Sequence, residues 1–482
     1  MLLSKILDGI EIIETNADMG ADITDVCCDS RRARPGCLFV AVEGYETDGH
    51  RFIPAALENG AAVILCRHKP EGKFAYALCE NTRLALALAS ANFFERPADK
   101  MKMIGVTGTN GKTTVTNLVK EIYEELSGEK AGLIGTNRNM IGAEELETER
   151  TTPESRELQE LFRKMYDRGC TAAVMEVSSH SLYLDRVGGI RYSVGVFTNL
   201  TQDHLDFHKT MENYCDAKAI LFRSCEKGVV NADDEWFERI TAGATCEKLT
   251  YSARENGGDL FATDIEYYPD RVCFAANYRG KRVPAVLNIP GRFSVYNALA
   301  ALGCSVALGF SLEDAVRALG HCPGVKGRVE VVPTGRDFTI LIDYAHTPDA
   351  IENVLRAVEE TAQGRVGILF GCGGDRDRTK RPKMGKISSE LADYMIITSD
   401  NPRTEEPEAI INDILEGVKG TETPYTVITD RREAIKYAIE HAQKDDIIIL
   451  AGKGHETYQI VGKTKRHMDE REIVADVLAG RI

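Results

Sequence analysis

Lys112 stands in MIGVTGTNGKTTVTNLVKEIYEE, where a short apolar run passes through two glycines into a helical pattern. Gly108 and Gly111 let backbone N–H groups approach phosphate oxygens at the N-terminus of that helix. In such a loop Lys112 meets the terminal phosphates, Thr113 offers its hydroxyl to Mg2+, and Thr109, Asn110 and Thr114 complete the cradle. Val106 stands where the usual G-x-x-x-x-G-K-[ST] spacing has glycine, and a GK[ST] tripeptide alone is also compatible with a plain turn. The strand-to-helix setting favours a nucleotide. No Asn-Lys-x-Asp guanine-reading motif is present, which counts against a GTP-type switch.

A second group of candidates lies towards the C-terminus. Four apolar runs each end in a polar loop: TILIDYAHTPD, RVGILFGCGGDRD, DYMIITSDNPR and DDIIILAGKGHE. Ligands of open α/β sheets bind beyond the carboxyl ends of the strands, so these loops are expected on one edge of one sheet. Connecting loops can be polar without a function. Four that carry Asp, Arg, His, Lys or Glu beside glycines favour a site.

The elements that must hold these loops alternate between short β-type runs and helical patterns, which reads as an α/β chain. Its 482 residues predict roughly three domains. We place them at 1–99, closed by LALALASANFFERP; at 100–332, opening at MIGVTG; and at 333–482, after the Gly/Pro-rich HCPGVKGRVEVVPTG.

A hydrophobic content of 43% excludes a disordered chain, and a net charge of −15 argues against coating nucleic acid or an anionic membrane. The thirteen Cys lack any CxxC pair, so buried thiols are expected rather than zinc or a disulfide framework. MLLSKILDGIEIIE has neither a basic start nor a long apolar core, and no stretch approaches the roughly 18 apolar residues of a spanning helix. A cytoplasmic protein is expected.

TGTNGKTT resembles the ATP loop of the Mur ligases and folylpolyglutamate synthetases, which join an amine to a carboxylate using ATP. TTPES, MEVSSHSL, NLTQDHLDFH, NYCDAKAILF, YNALAA, DYAHTPDA, GCGGDRD, DNPR and AGKGHE follow in the order found in Mur ligases that add the third residue of the peptidoglycan stem peptide. The resemblance covers nearly the whole chain. It implies three domains: an N-terminal UDP-sugar domain, a central P-loop ATPase domain and a Rossmann-like C-terminal amino-acid domain. It further implies that the terminal carboxylate of UDP-N-acetylmuramoyl-L-alanyl-D-glutamate attacks ATP, giving an acyl phosphate that an amino acid captures. A monomer is expected.

Two anions must meet in that reaction, so cations must offset their repulsion. The resemblance places Lys112 and Mg2+ there, with Thr113, Glu176 and His204 at metal positions. Glu176 is the stronger oxygen ligand, and His204 would act partly through water. Without the resemblance, a strand-end Glu and a hydrogen-bonded His are the simpler readings. Lys218, between apolar neighbours on a helix, reads locally as a lysine snorkelling its stem. The resemblance instead makes it a lysine carbamylated by CO2, whose anion helps hold a second Mg2+.

By the same resemblance Asn297, Arg328 and Asp343 contact the base, phosphates and ribose of ATP. Cys28, Ser30, Tyr45, Glu46 and Thr47 line the uridine nucleotide, and Thr151, Thr152, Ser178 and Arg186 hold the muramoyl dipeptide. Arg186 suits a carboxylate through a bidentate pair. Ser294, Lys326 and Leu184 depart from the related patterns, where Asn, Pro and Gln are usual.

The acceptor is read from SDNPRTEEP. DNPR resembles the members that add meso-2,6-diaminopimelate, whose far carboxylate Arg403 meets with a rigid fork. Arg376 would hold the other carboxylate, with Asp400, Asn401, Pro402, Gly452 and Glu456 around the amino groups. The simpler reading pairs Arg403 with Glu405 or Glu406 at the surface. A lysine-adding ligase is the near alternative, and a nucleotide-gated binding module the distant one.

Overall fold

The computed structural model describes every residue except Tyr45, Glu46, Pro70, Glu149, Glu360 and Ile482. Two of the proposed uridine contacts, Tyr45 and Glu46, therefore lie outside the described residues. Packing divides the chain into two compact units, Met1–Leu260 with Ala300–Ala315, and Phe261–Leu299 with Val316–Ile482.

The first unit holds two sheets. Strands β1 (Glu14–Thr15), β2 (Val26–Cys27), β3 (Leu38–Val40), β4 (Val63–Cys66) and β5 (Tyr76–Leu78) form one, in the order β1-β5-β4-β3-β2. The runs CLFVAV and AAVILC become β3 and β4, buried throughout because their alternate residues pack into apolar clusters on the two faces of the sheet. The helix Thr82–Phe93 covers this sheet; the Asn81 side chain accepts from the N–H groups of Arg83 and Leu84 and so caps it.

The second sheet contains β6 (Lys102–Thr107), β7 (Lys130–Ile134), β8 (Asn139–Ile141), β9 (Glu144–Leu146), β10 (Cys170–Glu176), β11 (Tyr192–Phe197), β12 (Cys225–Asn231) and β13 (Glu247–Ser252). Their order is β13-β12-β11-β6-β10-β7-β8-β9, parallel from β13 to β7. The central position of β6 puts the phosphate loop beside the ends of β10 and β11. Arg156 of the helix Ser155–Asp167 ties the two sheets' layers together, with Nη2 3.0 Å from Asp25 Oδ1.

The second unit carries β14 (Leu260–Tyr267) from Phe261 onward, the antiparallel pair β15 (Val272–Tyr278) and β16 (Lys281–Leu287), and a six-stranded sheet. That sheet contains β17 (Glu330–Val332), β18 (Thr339–Asp343), β19 (Val366–Phe370), β20 (Tyr394–Ile397), β21 (Tyr425–Val427) and β22 (Ile447–Ala451), ordered β17-β18-β22-β19-β20-β21. A hairpin, β23 (Tyr458–Val461) and β24 (Thr464–His467), follows. Strands β18, β22, β19 and β20 are consecutive and parallel, so the four polar loops leave one edge, as their sequence pattern predicts.

Beneath that edge Arg381 has no exposed side-chain surface, and its guanidinium donates to both oxygens of Glu405 at 2.8 and 2.9 Å and to Asp413 at 2.9 Å. The Arg381 bonds and the Asp375 N–H hold the Glu405 carboxyl down at about 2. A depressed carboxylate stabilises the fold fully above its unfolded value near 4.5 and loses that contribution as pH falls towards about 2. The stability advantage of the protein over Glu405→Gln should therefore be full at pH 6 and shrink below about pH 4.5. Urea midpoints across that range check it, and a pH-independent gap would contradict it.

Candidate functional site

The phosphate loop is shaped by positive φ at Gly108 (149°) and at Gly111 (85°), which caps the helix Lys112–Ser127. A Cβ at Gly108 would lie 1.9 Å from Thr198 Oγ1, so only glycine lets the loop close against the end of β11. Asn199 templates the loop: its carbonyl accepts from Thr109 N at 2.8 Å and its Oδ1 from Asn110 N at 2.9 Å. Thr198 Oγ1 donates to Asn110 O at 2.6 Å.

Two lysines converge on one carbonyl. Lys112 Nζ donates to Gly108 O at 3.0 Å and to Thr109 O at 2.8 Å, while Lys218 Nζ donates to Gly108 O at 2.8 Å. Lys218 is 1% exposed, on the helix Met211–Ala219, with its Nζ 4.5 Å from the Tyr214 ring. The snorkelling reading is thereby corrected, because the amine itself is buried. Burial first, and the Lys112 charge second, push the Lys218 pKa well below its ordinary value. An uncharged amine is the form that attacks CO2, so Lys218 fits a carbamate chemically.

Glu176, at the carboxyl end of β10, gathers a continuous network. Thr113 Oγ1 donates to its Oε1 at 2.9 Å, Thr136 N to the same oxygen at 2.8 Å, and Thr136 Oγ1 to Oε2 at 3.0 Å. The Thr136 and Thr151 hydroxyls are 2.9 Å apart, and Thr152 Oγ1 donates to Glu176 O at 2.9 Å. Ser178 N donates to Thr152 Oγ1 at 3.2 Å. The Thr113 hydroxyl and Glu176 carboxylate are hard oxygen donors, the set that suits Mg2+.

His204 takes a left-handed conformation (φ 53°), with Nε2 3.4 Å from Asp203 Oδ2 and its ring 4.8 Å from that of His180. It is not among the hydrogen-bond partners of Glu176. Partial burial lowers its pKa, with Asp203 opposing. Arg186 is mostly buried, and its Nε lies 2.7 Å from Glu154 Oε1 while Nη1 donates to Thr152 O at 3.5 Å. Thr114 is buried in the helix Lys112–Ser127 that follows the phosphate loop.

Of the proposed uridine contacts, Ser30 is buried at the start of the 3-10 turn Ser30–Arg32 and Cys28 is half-buried, its thiol pushed up to about 12 by burial. Thr47 is exposed, with its carbonyl accepting from Gly44 N at 2.9 Å.

In the second unit Asn297 is buried and Arg328 lies over the Tyr344 ring, 5.3 Å from its centroid. Asp343 ends β18 and uses both oxygens locally, accepting from Val329 N at 2.8 Å and Ala345 N at 2.7 Å. Burial raises its pKa, with Arg328 opposing. Ser294, at one departure from the related pattern, donates its hydroxyl to Pro290 O at 2.8 Å.

The loops after β19, β20 and β22 meet. Arg403 (φ 51°) donates from Nη1 to Gly374 O at 2.9 Å, and its backbone is pinned to the hairpin through Ile460 O at 3.1 Å. A Cβ at Gly373 would lie 2.9 Å from Arg403 Nη1 and 3.9 Å from Arg376 Cγ, so the two arginines flank this glycine. The surface pairing of Arg403 with Glu405 is overturned: Arg381 takes that carboxylate instead. Gly452 (φ 111°) leaves room for Asp400, whose Oδ2 would lie 2.7 Å from a Cβ there. Pro402 is buried beside Asn401, whose Nδ2 donates to Glu456 Oε2 at 2.9 Å.

Sequence reasoning missed Thr136, Asn199 and Lys453. Thr136 had a usable signal, since LIGTN is another apolar run ending in a glycine and a hydroxyl residue.

The family model described as the Mur ligase middle domain matches residues 106–305. The Mur ligase glutamate ligase domain matches 327–454, and the Mur ligase family catalytic domain 22–101. The UDP-N-acetylmuramoyl-L-alanyl-D-glutamate–2,6-diaminopimelate ligase 1 of Clostridium acetobutylicum is 48% identical over 99% of both chains. The ligase of the same description from Caldanaerobacter subterraneus subsp. tengcongensis is likewise 48% identical over 99% of both. A solved structure of a UDP-N-acetylmuramoyl-L-alanyl-D-glutamate–2,6-diaminopimelate ligase is 32% identical, with a TM-score of 0.75 over 100% of this chain and 99% of that one. With three domain models in order along one α/β chain and near full-length identity of 48%, this protein belongs to the Mur ligase family.

Proposed function

We propose that this chain is an ATP-dependent amide ligase that adds meso-2,6-diaminopimelate to UDP-N-acetylmuramoyl-L-alanyl-D-glutamate in peptidoglycan precursor synthesis. The observation that carries this reading is the hydrogen-bonded chain from Thr113 through Glu176 and Thr136 to Thr151, Thr152 and Ser178. It runs from the phosphate loop to the residues assigned to the muramoyl dipeptide. The similarity to diaminopimelate ligases supports the choice of acceptor.

The division of labour follows the proposed domains: 1–99 with Cys28, Ser30 and Thr47 for the uridine nucleotide, 100–332 for ATP and the dipeptide, and 333–482 for the amino acid. A terminal carboxylate oxygen attacks the γ-phosphorus, ADP leaves, and an acyl phosphate forms. The amino group then attacks the acyl carbon, phosphate leaves, and the nitrogen loses its proton. Lys112 and the N–H groups at the N-terminus of the helix Lys112–Ser127 offset phosphate charge, and Arg186 orients the carboxylate. Thr113 and Glu176, with His204 through water and Lys218 as its carbamate, would hold Mg2+. Bound Mg2+ supplies charge neutralisation at the transferring phosphoryl group. Asn297, Arg328 and Asp343 serve the nucleotide, and Arg376, Asp400 to Arg403, Gly452 and Glu456 the diaminopimelate.

No described helix is long and apolar enough to cross a membrane, and we assign the protein to the cytoplasm as a monomer, where ATP and the UDP-linked peptide are available. Phosphate release tests the reaction class. A ligase releases phosphate steadily only with both UDP-linked dipeptide and diaminopimelate present; release that needs neither would indicate a nucleotide switch.

A further inference from the structure

Among the fully buried charged side chains that the proposed reaction leaves unused, Lys453 is bonded to two residues assigned to the diaminopimelate, Asn401 and Glu456. It follows Gly452 in AGKGHE, at the carboxyl end of β22, and none of its side chain is exposed. A buried ammonium must be met by the protein, because an unpaired charge away from water is strongly disfavoured. Lys453 Nζ donates to Glu456 Oε2 at 2.8 Å and to Asn401 Oδ1 at 3.0 Å. Asn401 Nδ2 donates to the same Glu456 oxygen at 2.9 Å, closing a ring of three side chains. Ile460 N adds a further bond to Asn401 Oδ1 at 2.8 Å, which ties the ring to the hairpin that pins Arg403.

The ring fixes orientation. The Asn401 amide cannot flip without setting its NH2 against two donors and its oxygen against a carboxylate. Both bonds to Glu456 fall on Oε2, so the plane of that carboxylate is held from one side. Its side chain is 13% exposed, and Oε1 takes no hydrogen bond among the described residues.

We propose that Lys453 is a positioning residue for the incoming amino acid. It holds Glu456 and Asn401 in the one arrangement in which Glu456 Oε1 receives the ammonium group of the acceptor that does not attack the acyl carbon. This rests on the assignment of Glu456 and Asn401 to the diaminopimelate site. Lys453 itself touches no substrate. Its ammonium also balances the Glu456 charge, so the acceptor is selected by the direction of a carboxylate and not by an unpaired anion.

Steady-state kinetics on Lys453→Met, Lys453→Gln, Glu456→Gln and the double variant K453M/E456Q test this. For Lys453→Met the KM for diaminopimelate should rise about tenfold or more, with kcat within about threefold and the KM values for ATP and UDP-linked dipeptide unchanged. The double variant should be no worse than Glu456→Gln alone, because Lys453 acts through that carboxylate. If Lys453→Met does not fold, Lys453→Gln carries the same readout, with one donor kept. Equal rises in all three KM values, an unchanged KM for diaminopimelate, or effects that multiply in the double variant would each overturn the proposal. Failure of the parent protein to use diaminopimelate would overturn the site assignment itself, and is seen before any variant is compared.

Discussion

Lys218→Ala should lose about 100- to 1,000-fold in turnover while still binding ATP, and short carboxylates such as acetate should restore part of the loss. The expectation follows from where the amine sits. Lys218 Nζ is buried, shares the Gly108 carbonyl with Lys112, and is disfavoured as a cation by both facts. A second fixed ammonium beside Lys112 would help to bind triphosphate. A carbamate there would instead hold Mg2+, and only that function can be replaced by an added carboxylate. Turnover with and without acetate, at saturating substrates, checks the prediction. Unchanged turnover in Lys218→Ala would refute it.

Arg403→Ala should reduce kcat/KM for diaminopimelate by an amount corresponding to about 2–5 kcal/mol, with the KM for ATP unaltered. Arg403 is held from two directions, by the Gly374 carbonyl at its guanidinium and by the hairpin at its backbone. Among the described residues no carboxylate forms an ion pair with its guanidinium, and Glu405 is bound by Arg381. A preorganised fork of this kind suits the far carboxylate of the acceptor. Arg403→Lys should recover little, since an ammonium keeps the charge and loses the two parallel donors. Equal kcat/KM for diaminopimelate in all three proteins would contradict the role.

Those two residues show how differently the sequence exposes its parts. The four-loop edge was legible because strands buried on both faces read as unbroken apolar runs, and the polar residues begin where each strand ends. TGTNGKTT was legible because a phosphate loop is local: its glycines, lysine and threonine lie within one turn of chain. Lys218 was legible only through resemblance, since a lysine between apolar neighbours on a helix has the same pattern whether it snorkels or is buried. Its burial arises from contact with Gly108, 110 positions away. Thr136 and Asn199 escaped notice for a related reason. Each acts through backbone or hydroxyl bonds to a distant segment, and small polar residues at strand ends are common. Lys453 was present in a quoted motif but gave no sign of its partners, because Asn401 lies 52 positions away in sequence. The acidic overall balance was likewise uninformative about where the useful cations stand: Lys112 and Arg186 in the first unit, and Arg328, Arg376 and Arg403 in the second, each sit among residues proposed to meet anionic groups.

The central claim is the identity of the reaction and of its acceptor. It is tested most directly by incubating the protein with ATP, Mg2+ and UDP-N-acetylmuramoyl-L-alanyl-D-glutamate, offering meso-diaminopimelate and L-lysine in parallel, and measuring UDP-linked tripeptide by mass. The account predicts tripeptide with diaminopimelate, formed together with one ADP and one phosphate, and a rate with L-lysine lower by about 100-fold or more. A preference for L-lysine would contradict the acceptor assignment, and the absence of tripeptide with either amino acid would contradict the ligase itself.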